Sequence, residues 1–343
     1  MSEELKYDVD INIANKAKEE MAESLETTNK RVLNKIGAFS SLYDINFPEY
    51  KNPVLVLKTE EPGSKQILAF KYDKIENICY DMINHLINDC IVMGAKPLTV
   101  QDAIICGKLD KEKVLRIVKA VSNACKEQGC VLTGGETSEQ PGVLDKGIYI
   151  LTSSIVGIAE KDKMIDGSKI KQDDIVLGVE SSGLHTNGYT MVRQLIDKDP
   201  DIVNRLIDGK RFIDIVLEPH RCYYKSLEGL FDKDIISGLA HITGGGVKEN
   251  LNRILPNDLN AEIKLETLQI LPIFKAIKKS GNISDEEMLR TFNMSIGLCI
   301  VCDNKDKEII KEHLNKFGIN SYEIGRIVEG NKEVILKGNL NWT

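Results

Sequence analysis

Apolar and polar positions along the chain follow two rhythms, one of period 2 and one of period 3.6. Pro53–Thr59 (Pro-Val-Leu-Val-Leu-Lys-Thr) reads as a strand, and Gln66–Tyr72 as a second strand after a Pro62-Gly63 turn. From Ile75 to Met93 the period changes. Ile75, Ile78, Cys79, Met82, Ile83, Leu86, Ile87 and Cys90 share one helical face, while Asp81, His85, Asn88 and Asp89 share the opposite one. That polar face suits either solvent or a cation. Strand Leu98–Cys106, with Asp102 inside it, precedes helix Lys111–Gln128, a short strand Cys130–Thr133 and a long strand Gly147–Ala159. The polar run 161–172 reads as a domain junction.

Beyond the junction come strand Asp174–Val179, a helix from about Tyr189, helix Glu218–Leu230, strand Ile235–Ala240 and a helix carrying Asn250 and Arg253. Strand Ala261–Leu265, helix Leu271–Lys279, strand Ile296–Cys302, helix Lys305–Phe317 and strands Tyr322–Ile327 and Lys332–Leu336 close the chain. Residues 11–36 read as one or two amphipathic helices. The whole predicts an α+β (mixed α/β) chain of two domains, 1–168 and 169–343, facing a cleft.

Composition narrows the class. With 343 residues, 42% of them hydrophobic and 28% charged, the chain is long enough for sizeable cores and is not of a disordered type. A net charge of -7 argues against a general nucleic-acid or anionic-membrane binder. No apolar run approaches the ~20 residues of a membrane span, and residues 1–26 lack a signal-peptide core. Eight cysteines are scattered through apolar segments; Cys299 and Cys302 fall on opposite faces of one strand. They read as core thiols in a reducing cytoplasm.

The candidate chemistry sits where strands run into glycine. Gly134-Gly135-Glu136-Thr137-Ser138-Glu139-Gln140-Pro141-Gly142 reads as a loop offering bare amides to an oxyanion and carboxylates to a metal or proton; an ordinary surface turn has the same composition. Lys65, just beyond Gly63, is placed to reach a phosphate or to lie solvated on a hairpin turn. Ser181–Gly188 precedes a helix and holds His185 and Asn187, suited to an anion or to general acid/base work. Gly244, Gly245 and Gly246 lie between strand and helix, where three glycines cost chain entropy unless backbone must approach a ligand such as phosphate. Neither GxGxxG nor GxxxxGK[ST] occurs, which excludes the Rossmann and P-loop readings.

Four of these stretches, in order, carry a resemblance: Gly134 to Gly142, Ser182-Gly-Leu-His-Thr-Asn-Gly-Tyr189, Ala240-His-Ile-Thr-Gly-Gly-Gly246 and Arg290-Thr-Phe-Asn293. Asn88-Asp89, Gly94-Ala-Lys-Pro97 and Ile165-Asp-Gly-Ser-Lys169 support it. From about Tyr7 to Leu336 the chain resembles the phosphoribosylformylglycinamidine cyclo-ligase (aminoimidazole ribonucleotide synthetase) family. The resemblance implies a cytoplasmic homodimer whose N-terminal domains join sheets in a barrel, with a C-terminal α/β sandwich and clefts as active sites. It implies ATP and Mg²⁺ as cofactors and formylglycinamidine ribonucleotide, or a related small molecule, as substrate. The implied chemistry is ATP-dependent ring closure through an iminophosphate.

On the matching positions Glu60, Asp89 and Asp102 are expected to bind Mg²⁺, and Gly63, Ser64 and Lys65 the ATP phosphates. Gly134, Gly135, Glu136 and Thr137 go to the nucleotide cleft, His185 and Asn187 to substrate and proton handling, and Gly244 to Gly246 to a phosphate. Thr59-Glu60-Glu61-Pro62-Gly63-Ser64-Lys65 departs from the family's usual Thr-Asp-Gly-Val-Gly-Thr-Lys, and Met294-Ser295 replace small residues and glycine. These departures leave two alternatives: a paralogue using the same activation on another substrate, and a non-catalytic homologue acting as a binding subunit.

Overall fold

The computed structural model describes residues 21, 27–34 and 38–343. The helices expected within 11–36 lie mostly outside the described residues; Val32 there forms an isolated bridge with Tyr43.

The first half builds β1 (Pro53–Glu60), α1 (Lys65–Lys71), α2 (Ile75–Ile91), β2 (Lys96–Cys106), α3 (Lys111–Glu127), β3 (Val131–Glu139) and β4 (Tyr149–Glu160). Its four strands lie in the order β1-β4-β2-β3. Only β2 and β3 are parallel, and α3 supplies the crossover that a parallel pair requires. Asp110 caps α3, its carboxylate accepting from the Lys113 amide at 3.2 Å. The apolar stripes of α2 and α3 close one face of the sheet. On the opposite face Leu55 and Leu57 stay 56% and 70% exposed; Ile150, at 38%, shares that face but lies six residues along β4 from Val156, the partner of Leu57.

The second half adds β5 (Ile175–Glu180), α4 (Tyr189–Lys198), β6 (Leu206–Ile207), β7 (Lys210–Arg211), α5 (Phe212–Val216), α6 (Tyr224–Leu227), β8 (Gly238–His241), α7 (Gly246–Asn252) and β9 (Leu259–Lys264). It ends with α8 (Pro272–Gly281), α9 (Asp285–Thr291), β10 (Ile296–Cys302), α10 (Lys307–Asn315), β11 (Ser321–Glu329) and β12 (Val334–Lys337). Six strands form one sheet, β12-β9-β11-β5-β10-β8. β10 is buried at every position, which is why its sequence is a continuous apolar run. All eight cysteines are free thiols.

Three expectations are corrected. Gln66–Tyr72 is not a strand but most of α1; Lys65, Leu68 and Ala69 turn inward at i, i+3 and i+4. The stretch from Gly134 to Glu139 is not a loop but the second half of β3, paired with β2. Gly135 explains how: a Cβ there would sit 2.0 Å from Asp102 Oδ1, so only glycine lets the two strands close. The helix expected over Glu218–Leu230 is confined to Tyr224–Leu227 and a following 3₁₀ turn. Pro219 disfavours helical backbone at Glu218, and carbonyls and amides of Leu217–Tyr223 are taken by α2 instead. The hairpin β6–β7 and the short helices α5 and α9 had no distinct periodic signal.

Candidate functional site

The polar face of α2 is not solvated. Asn77, Asp81, Asn84 and Asn88 recur every three or four residues and clasp the extended segment Leu217–Tyr223 of the second domain. Asn77 Nδ2 donates to Leu217 O at 2.8 Å, Asn84 Nδ2 to His220 O at 2.6 Å and Asn88 Nδ2 to Arg221 O at 2.8 Å. Asn88 Oδ1 accepts from the Tyr223 amide at 2.9 Å, and Asp81 Oδ1 from the His220 amide at 2.8 Å. One helical face thus satisfies the backbone of a segment that forms neither helix nor sheet.

Lys65 locks the same junction. Its ammonium lies 2.8 Å from Asp81, 3.0 Å from His185 O and 2.7 Å from Glu218 O, and the side chain is fully buried. Those three acceptors use its three protons, so in this arrangement none is left for a phosphate. Burial pushes the Lys65 ammonium down and the Asp81 carboxyl up, while their mutual attraction opposes both shifts.

Beside this strut four of the chain's five histidines converge: His85, His185, His220 and His241. His241 Nδ1 lies 2.7 Å from Asp89 Oδ1, and His241 Nε2 lies 2.9 Å from His220 Nε2. With Asp89 ionised, His241 Nδ1 is the donor of that bond. His85 Nδ1 meets Thr186 Oγ1 at 2.9 Å. His185 accepts from the Ser182 amide and stacks on His220, with ring centroids 3.8 Å apart. Its backbone sits at φ 60, a left-handed conformation costing about 1–2 kcal/mol, held by the Lys65 bond to its carbonyl.

Burial lowers His85 to about 4 and also pushes His185 and His220 down, so these rings are neutral near pH 7. Burial alone would raise Asp89, but the hydrogen bonds from His241 and Lys58 outweigh it and hold the carboxyl well below its usual range.

The rim is charged. Lys58 Nζ lies 2.9 Å from Glu60 Oε2 and 3.0 Å from Asp89 Oδ2. Two expected metal ligands are therefore brought together, with an ammonium where a cation would neutralise both. Asp102 stands apart. It pairs with Ser153, which pairs with Glu60, so it lies two strands away, about 10 Å between Cα atoms. Its buried Oδ2 has no partner, and burial raises the carboxyl to about 7.

The second-domain motifs meet as a group. Asn187 Oδ1 would lie 3.1 Å from a Cβ on Gly244. Gly188 packs against the Phe292 ring, where a Cβ would fall 2.1 Å from it. Asn293 Nδ2 donates to Gly183 O at 2.9 Å, and the Gly245 amide to Arg290 O at 3.1 Å. Met294 and Ser295 both adopt positive φ, in a stretch where the family resemblance expects glycine. Gly63 approaches Thr186 O, a Cβ there falling 3.4 Å away, so the Gly63-Ser64 turn abuts the His185 loop. Glu136 and Thr137 fall on opposite faces of β3, and Glu136 is exposed on the side away from Asp102. Gly134 approaches Ser41, whose Oγ would be 3.4 Å from a Cβ. The glycines and acid of β3 do not join the histidine cluster.

Sequence reasoning passed over Lys58 and His220, gave His241 no role of its own, and left Asp81 and His85 on a face suited to solvent or a cation. The available signal was that His185 and His241 sit in motif stretches and His85 three residues before Asn88-Asp89.

Residues 46–159 match the AIR synthase related protein N-terminal domain, and 171–337 the corresponding C-terminal domain. A phosphoribosylformylglycinamidine cyclo-ligase from Methylobacillus flagellatus is 41% identical over 301 residues, 88% of this chain and 87% of the relative. One from Streptococcus agalactiae is 39% identical over 97% of this chain and 98% of the relative. Among solved structures, thiamine-monophosphate kinase from Stenotrophomonas maltophilia superposes with a TM-score of 0.70 at 14% identity, covering 96% of each chain. The hydrogenase maturation protein HypE in complex with ATP superposes at 0.67 and 15%, covering 92% of this chain and 88% of that one. At such identities the structural likeness speaks to the fold alone.

Proposed function

The chain belongs to the phosphoribosylformylglycinamidine cyclo-ligase family, and from that premise we propose that its interdomain cleft activates and closes a single ribonucleotide. It is an ATP-dependent ligase. It cyclises formylglycinamidine ribonucleotide to aminoimidazole ribonucleotide in purine biosynthesis, forming a C–N bond. Phosphoryl transfer to the substrate amide oxygen turns a poor leaving group into phosphate. The substrate's own nitrogen then attacks that carbon, and ADP and phosphate are the by-products.

The observation that carries this reading is the meeting of the second-domain motifs beside a carboxylate rim. Asn187 meets Gly244, Gly188 meets Phe292 and Gly245 meets Arg290, within one domain whose His241 reaches Asp89 of the other. To this arrangement we assign the holding of substrate nitrogen and carbon in near-attack geometry. The roles of individual residues are our assignment. Glu60 and Asp89 suit Mg²⁺ by donor type, both being hard carboxylates already paired through an ammonium. Mg²⁺ held there would offset phosphate charge. Asp102 is too far along the sheet to belong to that pair, and we assign it to the buried wall behind β3. The Ser64 and Gly244 amides are assigned to phosphates, those of Gly63, Gly245 and Gly246 already donating to Glu61 Oε2, Arg290 O and Thr243 O; Gly134, Gly135, Glu136 and Thr137 are assigned to the nucleotide side. His185 and Asn187 are assigned to substrate positioning and proton handling. Lys65 is reassigned from phosphate ligand to interdomain strut, because its donors are spent.

The exposed face carrying Leu55, Leu57 and Ile150 supports a homodimer closed sheet to sheet. Free cysteines throughout support a reducing, cytoplasmic setting. The direct test is turnover of formylglycinamidine ribonucleotide with ATP and Mg²⁺, reading the aminoimidazole by diazo coupling and ADP separately. Product with equal ADP is expected. Folded protein giving neither would remove the reading and favour the paralogue, whose specific support is the Glu61-Pro62 pair in the loop.

A further inference from the structure

We propose that His85, Asp89 and His241 form a mixed nitrogen–oxygen cation site that joins the two domains and prefers a borderline transition ion such as Co²⁺ or Zn²⁺ over Mg²⁺. The site shares Asp89 with the carboxylate pair above but does not rest on the ligase assignment, because it is a property of the nucleotide-free chain.

The three donor groups already converge, with candidate ligand atoms within 4.8 Å of one another. His85 and Asp89 are four residues apart on α2 and therefore on one face. His85 Nε2 lies 3.8 Å from Asp89 Oδ2, and His241 Nδ1 lies 2.7 Å from Asp89 Oδ1. Donors around a four-coordinate ion at about 2.0–2.1 Å sit on the order of 3.3 Å apart. Small side-chain shifts would bring the trio to that spacing.

The outer shell carries the argument further. A ligating histidine is normally fixed by a hydrogen bond from its other ring nitrogen. Here both rings are so fixed. His85 is held through Nδ1 by Thr186 Oγ1 at 2.9 Å, leaving Nε2 toward Asp89. His241 meets His220 through Nε2 at 2.9 Å; to ligate, its Nδ1 gives up the proton it donates to Asp89, and Nε2–H then donates to His220. Two imidazoles and one carboxylate are the donor set of non-haem transition-metal centres, whereas Mg²⁺ favours an all-oxygen shell.

Access is from the rim, where Asp89 and Lys58 keep 20% and 37% side-chain exposure. Lys58 holds Asp89 Oδ2 at 3.0 Å, so an entering ion must displace its ammonium. Lys58 and the histidines therefore act in opposite directions on affinity, which a loose acidic cluster would not predict.

The test is Co²⁺ titration of the nucleotide-free protein, followed by its visible d–d absorption and by Tm, with Mg²⁺ as competitor. Expected are one Co²⁺ per chain, an intensified visible band, a raised Tm and no displacement by tenfold excess Mg²⁺. His85→Ala and His241→Ala should each weaken binding at least tenfold. Lys58→Met should tighten it several-fold, and His313→Ala, on the distant α10, should leave it unchanged. Equal Co²⁺ binding in wild type and both histidine variants would overturn the proposal, as would ready displacement by Mg²⁺. Should the histidine variants fail to fold, the wild-type competition and Lys58→Met still decide it: displacement by Mg²⁺, or weaker binding without the lysine, refutes the site.

Discussion

Lys65 and Lys58 stand on either side of one short loop, and each holds carboxylate, yet they live in different dielectrics. Lys65 is sealed, with Asp81 and two carbonyls taking all its protons. Lys58 keeps 37% of its side chain exposed and bridges Glu60 and Asp89 at the rim. In the buried pair, losing one partner strands a charge where water cannot reach it. At the rim, water and salt replace a lost partner at little cost. The first arrangement belongs to architecture. The second is exchangeable, as the cation and phosphate binding proposed for this rim requires.

The largest effect that could break this comparison is Lys65→Met, which should cost about 3–5 kcal/mol in urea unfolding by leaving Asp81 buried and unpaired. Adding Asp81→Leu should recover much of it. A loss below about 1 kcal/mol for the single change would make Lys65 no more structural than Lys58.

Asp102 sharpens the contrast, being a buried carboxyl with no cation at all. Its native value of about 7 lies above its unfolded value, so protonation favours the fold. Stability should fall as pH rises from about 4 to about 7 on its account. Asp102→Asn should abolish that slope and gain roughly 2–4 kcal/mol at pH 8. An unchanged pH profile would refute the burial argument.

His85 works with the opposite sign. Its native value of about 4 lies below the unfolded one, so its contribution is present above about pH 6.5 and is lost as pH falls toward 4. His85→Asn should flatten acid unfolding in that window by about 2–3 kcal/mol, read from denaturation midpoints at pH 7 and 4.5. Equal acid sensitivity in both proteins would count against it.

Smallest in stability, but largest in activity, is Glu60→Ala. It should change unfolding by under about 1 kcal/mol and raise the Mg²⁺ needed for half-maximal turnover at least tenfold. An unchanged Mg²⁺ requirement would take Glu60 out of the metal set.

Much of this molecule was legible before folding. The period-3.6 stripes of α2 and α3, the seven-residue apolar run of β10 and the order of four glycine-bearing motifs follow from sequence spacing alone. They identify two mixed domains and one enzyme family, because periodicity and motif order are local or pairwise properties. Short elements were harder. Gln66–Tyr72 alternates as plausibly as it winds, and only the inward turn of Lys65, Leu68 and Ala69 selects the helix. The Gly134 stretch reads as loop until β2 is laid beside it and Gly135 is seen to make room for Asp102.

Periodicity tells which residues share a face, never what that face meets. Asn77, Asp81, Asn84 and Asn88 form a polar stripe in either case; tertiary structure alone decides that it meets backbone rather than water. The same holds for Lys65, whose charge is neutralised by a carboxylate on α2 and by carbonyls from the second domain. His220 and His241 come from separate segments of that domain and meet His85 and Asp89 only when the domains dock. Sequence determined the residue types and the elements that carry them. The distances that make those residues a strut, a rim or a metal-binding trio are set by long-range packing, which no local pattern contains.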